Sequence, residues 1–149
     1  NQIASQAFEL SKSLDYKKGM AESLLYQAYC DFTVGKDQTA IQKFKKSIAI
    51  SETDKQDTLK GFALSFLARV YQYMDKMDSS KLCLDQSYEV LKNSSHPYYL
   101  SLTYLVYADH YAVFDNAIEQ FKYLKKSYVI REELKDKRPL IYACERMSG

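Results

Sequence analysis

Residues 56–93 read QDTLKGFALSFLARVYQYMDKMDSSKLCLDQSYEVLKN, and this stretch decides the fold. Its first half places Phe62, Ala63, Phe66, Leu67, Val70, Tyr71 and Met74 in a wide i, i+3, i+4 stripe without period-two alternation. The segment Asp75-Lys76-Met77-Asp78-Ser79 interrupts the pattern, which resumes with Leu82, Leu84, Tyr88 and Leu91. Two helices joined by so short a polar turn lie antiparallel. The spacing predicts one helix over Gln56–Met74 and a second over Asp78–Asn93.

The same layout recurs on both sides. Upstream, the pattern predicts helices over Tyr16–Val34 and Asp37–Thr53. Gly35 suits the left-handed conformation that ends a helix, and Asp37 suits the cap of the next. Downstream it predicts Pro97–Val113 and Asp115–Lys135, with Pro97 in a first turn and Asn116 with Glu119 as a capping box. Residues 1–15, with Ile3, Ala4, Phe8 and Leu14, read as the second helix of an earlier pair. Pro139–Met147 reads as the first helix of a later one, so residues 1–149 form a single array with repeats at 16–53, 56–93 and 97–135.

Self-similarity fixes the architecture. Ala28, Ala68 and Ala108 fall forty apart, as do Phe44, Leu84 and Leu124, and as do Ser47, Ser87 and Ser127. Ala4, Phe8 and Ser11 match Ala40, Phe44 and Ser47 at thirty-six. A competing register pairs Ala117 to Phe121 with Ala40 to Phe44 at seventy-seven, but only forty aligns both helices of every repeat. Two helices per period near forty is the signature of a helical solenoid. The expected fold is all-α, a superhelix of antiparallel helix pairs.

Composition agrees. The 149 residues hold 4 Gly and 2 Pro, few for a fold rich in tight turns, and 14 Tyr, whose rings pack while their hydroxyls stay wet. Net charge is +2, from 21 basic and 19 acidic residues, which leaves no electrostatic footprint for nucleic acid. The clusters Lys43, Lys45, Lys46 and Lys122, Lys125, Lys126 read as solvated helix faces. Cys30, Cys83 and Cys144 are scattered and odd in number, against a disulfide framework or zinc site. That usage suits a reducing compartment and is compatible with the periplasm. No run of eighteen apolar residues is present, so membrane insertion by this segment is not expected. With Asn1 first and no signal peptide, the chain reads as processed or excised from something longer.

These residues resemble the tetratricopeptide repeat family. Ala28, Gly35, Ala40, Phe44 and Ser47 match its small, glycine, small, aromatic and small positions in order. Ala68, Tyr71, Ser80 and Ser87 match in the next repeat, with Leu84 for the aromatic and Asp75 for the glycine. Ala108, Tyr111 and Ser127 match in the third, with Asp115 and Gln120 departing. The family repeat is usually shorter, near thirty-four residues. The resemblance implies a right-handed superhelix whose concave face, lined by first helices, binds an extended peptide or partner helix. Its groove positions fall on Glu22, Leu25, Tyr29, Phe32 and Thr33, then on Phe62, Ser65, Arg69, Gln72 and Tyr73, and then on Leu102, Leu105, Asp109, Ala112 and Val113. Arg69 and Asp109 hold equivalent places on adjacent repeats and are suited to pair with each other. Members that clamp a terminal carboxylate use Lys and Asn where this chain has Leu25 with Tyr29, Ser65 with Arg69, and Leu105 with Asp109. No such clamp is expected, and apolar contact dominates any groove ligand. The phrases KSIAISE at 46–52 and KSYVIRE at 126–132 also resemble the repeats of bacterial signalling and transcriptional regulators.

Catalytic groups are sparse. His96 precedes Pro97 in a loop, and His110 follows Asp109 on a helix, where adjacent residues do not face each other. No second His lies four residues from either, and no calcium loop or glycine-rich phosphate loop is present. Asp75 with Asp78, and Glu132 with Glu133, read as surface charge, and Asn93-Ser94-Ser95 matches a glycosylation acceptor. The expectation is a protein- or peptide-binding scaffold with no cofactor, and not an enzyme. The alternative is a self-assembly module that forms homo-oligomers through apolar ends at Phe8, Ile141 and Tyr142.

Overall fold

The structure, a computed structural model, describes residues 2–134. The expected helix over 139–149 lies outside the described residues, as do Ile141, Tyr142 and Cys144. The helices are α1 Gln2–Ser13, α2 Lys17–Thr33, α3 Asp37–Thr53, α4 Asp57–Tyr73, α5 Met77–Leu91, α6 Pro97–Val113 and α7 Ala117–Glu133. Each packs against its chain neighbours, and the first helices α2, α4 and α6 also meet one another along the array. The result is an all-α solenoid of antiparallel pairs.

Five of the six connections share one turn. The residues Asp15, Gly35, Lys55, Asp75 and Asp115 all take positive φ, between 49° and 76°. In each turn the residue after this one donates its N–H to a carbonyl five back, as Lys36 does to Asp31 and Lys76 to Tyr71, both at 2.8 Å. These are Schellman motifs, which satisfy orphan carbonyls at a helix end. The left-handed conformation is free for Gly35, and Asp, like Asn, tolerates it because a short polar side chain can bond locally; Lys55 adopts it with a long side chain. Asp75 and Asp115 therefore stand where the repeat pattern expects glycine and adopt the glycine conformation. The expected cap at Asp37 is corrected. Lys36 occupies the N-cap without a side-chain hydrogen bond, and Asp37 lies within the first turn, where its charge complements the helix dipole. Only half of the expected capping box forms, with Glu119 N–H donating to Asn116 Oδ1 at 3.2 Å.

The period of forty is a packing period. Ala28, Ala68 and Ala108 are fully buried, as are Phe44 and Leu84 and, nearly so, Leu124. Small residues let the paired backbones approach. Ser47 Oγ donates to the Ala21 carbonyl and Ser87 Oγ to the Gly61 carbonyl, both at 2.7 Å. Gly61 has no room for a side chain, because a Cβ there would lie 2.4 Å from Leu91 Cγ. The second helices α3 and α5 thus rest against first helices through a serine bonded to the backbone, whereas the equivalent Ser127 of α7 is fully buried without such a bond, and Phe44, Leu84 and Leu124 fill the space behind.

Candidate binding surface

The first helices set out one face of the solenoid. Positions 22, 29 and 33 on α2 recur as 62, 69 and 73 on α4 and as 102, 109 and 113 on α6. Spacing of seven and then four keeps them on one stripe. Of these nine residues none is buried, and Tyr29, Thr33, Tyr73 and Val113 are exposed. Phe32, Gln72 and Ala112 flank the stripe and are half-buried.

The other expected groove residues need correction. Leu25, Ser65 and Leu105 are 2%, 3% and 3% exposed and pack between helices. Each lies three residues before a seating alanine, at 28, 68 or 108, and so shares its inward face. Ser65 Oγ donates to the Phe62 carbonyl at 2.8 Å, which satisfies the hydroxyl within its own helix. Arg69 also falls short as a free charge for a ligand. Its Nη2 lies 3.8 Å from Asp109 Oδ2, in the pairing that their shared register suggests.

What remains on the stripe is an aromatic ladder from helix to helix. Tyr29 meets Phe66 edge-on at 5.4 Å, and Phe32 meets Tyr73 in the same way at 5.4 Å. Phe62 touches Tyr99 at 4.9 Å. Tyr73 keeps 82% of its surface open and Tyr29 43%, so each ring is anchored at one edge and presented at the other. Gln72 Nε2 donates to the Val106 carbonyl at 3.0 Å and ties α4 to α6 beneath the ladder. Near the helix N-termini the face sinks into a depression of about 210 Å³ lined by Lys18, Glu22, Leu59, Phe62, His96 and Tyr99, among others. Lys18 Nζ and Glu22 Oε1 stand 4.0 Å apart on its wall. Such a surface offers ring faces, phenol hydroxyls and two separated ion pairs, Lys18 with Glu22 and Arg69 with Asp109.

Titratable groups of note lie elsewhere, among α5, α6 and α7. Tyr107 donates its hydroxyl to Asp85 Oδ1 at 2.5 Å, and Lys81 sits 5.4 Å from the Tyr107 ring centre. Burial pushes the Tyr107 phenol well above its ordinary range, and the Asp85 bond adds to the effect. For Asp85 burial works against ionisation, but hydrogen bonds from Lys81 and Tyr107 outweigh it and hold the carboxyl below its usual range. Burial pushes the Cys83 thiol up to about 11, with Lys45 opposing, so it is a poor nucleophile at neutral pH. Sequence reasoning missed this cluster, because nothing in the spacing of Asp85 and Tyr107 says that α5 and α6 bring them together.

His110 is 6% exposed, between Tyr111 and Phe114, and its Nδ1 meets no hydrogen-bond partner among the described residues. Burial, helped by Lys81, holds its pKa below the ordinary value, while Asp85 and Asp78 pull the other way and lose. The fold therefore prefers the neutral ring. That part of the stability is fully present above the unfolded value, about 6.5, and is lost as pH falls below it. The urea midpoint should fall between pH 7 and pH 5 in the natural chain and fall less in His110→Phe. An unchanged slope in the variant would assign the loss to other groups.

No group of three or more metal-ligating side chains occurs among the described residues. No described helix is long and apolar enough to cross a membrane. No known family model matches the chain, and no curated protein matches it.

Proposed function

We propose that this chain is a non-catalytic docking scaffold that binds an extended peptide or partner segment along the stripe formed by α2, α4 and α6. The observation that carries the reading is the ladder of edge-anchored rings, Tyr29 on Phe66 and Tyr73 on Phe32, left open on one side. Exposed aromatic rings on a rigid helical bed give much contact area at small entropic cost, the usual character of binding hot spots. The tetratricopeptide likeness supports the same face as the docking side, and the KSIAISE and KSYVIRE phrases favour the sensor or interaction region of a larger bacterial regulator.

The test is a displayed peptide library selected on the natural chain and re-measured on Tyr29→Ala and Tyr73→Ala. Each substitution is expected to weaken selected peptides at least tenfold, about 1.4 kcal/mol. The melting temperature should move little, since both rings are largely outside the core. A selection in which every peptide binds the double variant unchanged would sink the proposal, as would a stability loss of several kcal/mol in either variant.

A second reading, self-assembly, has an observation of its own. Ile3, Leu10 and Leu14 on and beside α1 are mostly exposed, whereas Phe8, expected on that apolar end, is half-buried. If this stripe drives association, sedimentation of the natural chain depends on concentration and that of Leu10→Lys does not.

A further inference from the structure

On the side away from the stripe, a trench runs between the second helices α3 and α5 with α4 as its floor. Two adjoining depressions of about 390 Å³ each make it up and share Ile48, Glu52, Leu64 and Gln86. Leu67, Tyr71 and Cys83 line its deeper part. The solenoid contains its own comparison, because the next space, between α5 and α7 over α6, is built from positions forty residues on. Its end toward Ile130 is open, a depression of about 690 Å³ lined by Tyr104, Lys125, Lys126 and Val129 among others, and the part that matches the trench lies around Tyr107, Tyr111 and Tyr123.

There the trench residues have bulkier counterparts. Ile48, Leu64, Leu67 and Cys83 correspond to Tyr88, Tyr104, Tyr107 and Tyr123, while Tyr71 corresponds to Tyr111. The Tyr123 ring stacks on Tyr107 at 4.6 Å and on Tyr111 at 5.5 Å, within 12° of parallel to both. It also meets Tyr104 at 5.8 Å, with Lys126 over its face at 5.0 Å. In the trench the same backbone frame carries Cys83 where that central ring would begin and Gln86 where the lysine would cover it. One partner of the stack, Tyr71, is kept; the ring that would lie on it is missing.

Charge tells what flanks the missing ring. The end of the trench toward Val90 is lined by Glu52, Asp85 and Glu89 against Lys60 alone. Lys60 pairs with Glu52 at 2.7 Å, and Lys81 and Lys92 reach Asp85 and Glu89 from outside the lining. Each carboxylate thus has one lysine partner, and Asp85 also accepts from Tyr107, while more than half of each acidic side-chain surface stays open to water. Cys83 and Glu89 are six residues apart on α5, about 9 Å of helix. An extended peptide covers that distance in about three residues.

From these observations we infer that the trench between α3 and α5 is a second binding site, which takes an aromatic side chain of a partner peptide with basic residues two or three positions away. The ring lies on Tyr71 in the place that Tyr123 holds on Tyr111, with Leu67 and Cys83 around it. The basic residues face Glu52, Asp85 and Glu89. This site is separate from the aromatic stripe, and the Tyr29→Ala, Tyr73→Ala double variant retains it.

The probe is acetyl-Lys-Lys-Gly-Tyr-Gly-Lys-Lys-amide, titrated into the methyl-labelled full chain. Leu64, Leu67 and Ile48 methyl resonances are expected to shift with saturation. Replacing the peptide's Tyr by Leu, or its four Lys by Glu, should weaken binding at least tenfold. Cys83→Tyr supplies the missing ring from the protein itself; it is expected to abolish the shifts and leave the melting temperature equal or higher. Leu82→Trp narrows the trench from an exposed position that needs no core space, and it carries the test if Cys83→Tyr does not fold. The inference is overturned if no trench methyl responds, if the Leu or Glu peptide binds as tightly, or if a folded blocking variant binds like the natural chain.

Discussion

Replacing Phe44 with Ala lowers the unfolding free energy by about 3–5 kcal/mol. Its ring has no exposed surface and lies parallel to Phe66 at 6.0 Å. It is part of a core cluster with Ala28, Ala40, Leu64 and Leu67, drawn from α2, α3 and α4. Truncation opens a cavity where two pairs meet, and helices held by Schellman turns at both ends cannot readily slide in to close it. For a chain near this length the melting temperature should drop by roughly 10 °C. The control is Phe44→Leu. Leu84 and Leu124 occupy the same place one and two repeats on, so the frame already accepts that shape. Its cost should stay below about 1.5 kcal/mol. Urea titration of the three chains checks the order, and a loss below about 1 kcal/mol for Phe44→Ala would show that the pairs do not meet through this ring.

Ala68→Leu tests the opposite error, too much volume. Leu is nearly as good a helix former as Ala, so local propensity contributes almost nothing. Ala68 has no exposed surface, and its methyl lies where α4 is seated in the array. Three added carbons must push the helices apart, at a cost of about 1–3 kcal/mol. Ala28→Leu and Ala108→Leu should cost amounts of the same order, since both alanines are equally buried. Ala28 and Ala108 lie on α2 and α6, in pairs either side of the central one, so their effects should add within about 0.5 kcal/mol. Full stability in Ala68→Leu would mean that small size at this position is incidental, and the packing origin of the forty-residue period would fall with it.

The candidate stripe was half legible. The repeat register placed Glu22, Tyr29 and Thr33 and their equivalents together, and the structure leaves all nine of those residues at least partly open. It also places Leu25, Ser65 and Leu105 in the interior. That part was readable in principle, because three residues before a buried alanine is the same helix face. The Arg69 and Asp109 pair was visible as two equivalent positions of opposite charge. The trench was not visible, since Cys83 and Tyr71 acquire meaning only beside Tyr123 and Tyr111, once both spaces are seen to have one frame.

By itself the sequence determined the helices, their pairing and their period. Those follow from short-range causes: apolar spacing along one helix, residues that tolerate positive φ at its end, and alanine or serine at fixed intervals. The tertiary structure alone decided which side chains are left facing water. That depends on how closely each helix approaches the next, and backbone-to-serine bonds such as Ser87 to Gly61 set the approach across 26 residues of chain. It also decided that Tyr123 stacks on Tyr107 and Tyr111 in one inter-helix space while Cys83 leaves Tyr71 without such a ring in its neighbour, because which rings meet is a property of packed surfaces and not of any one residue.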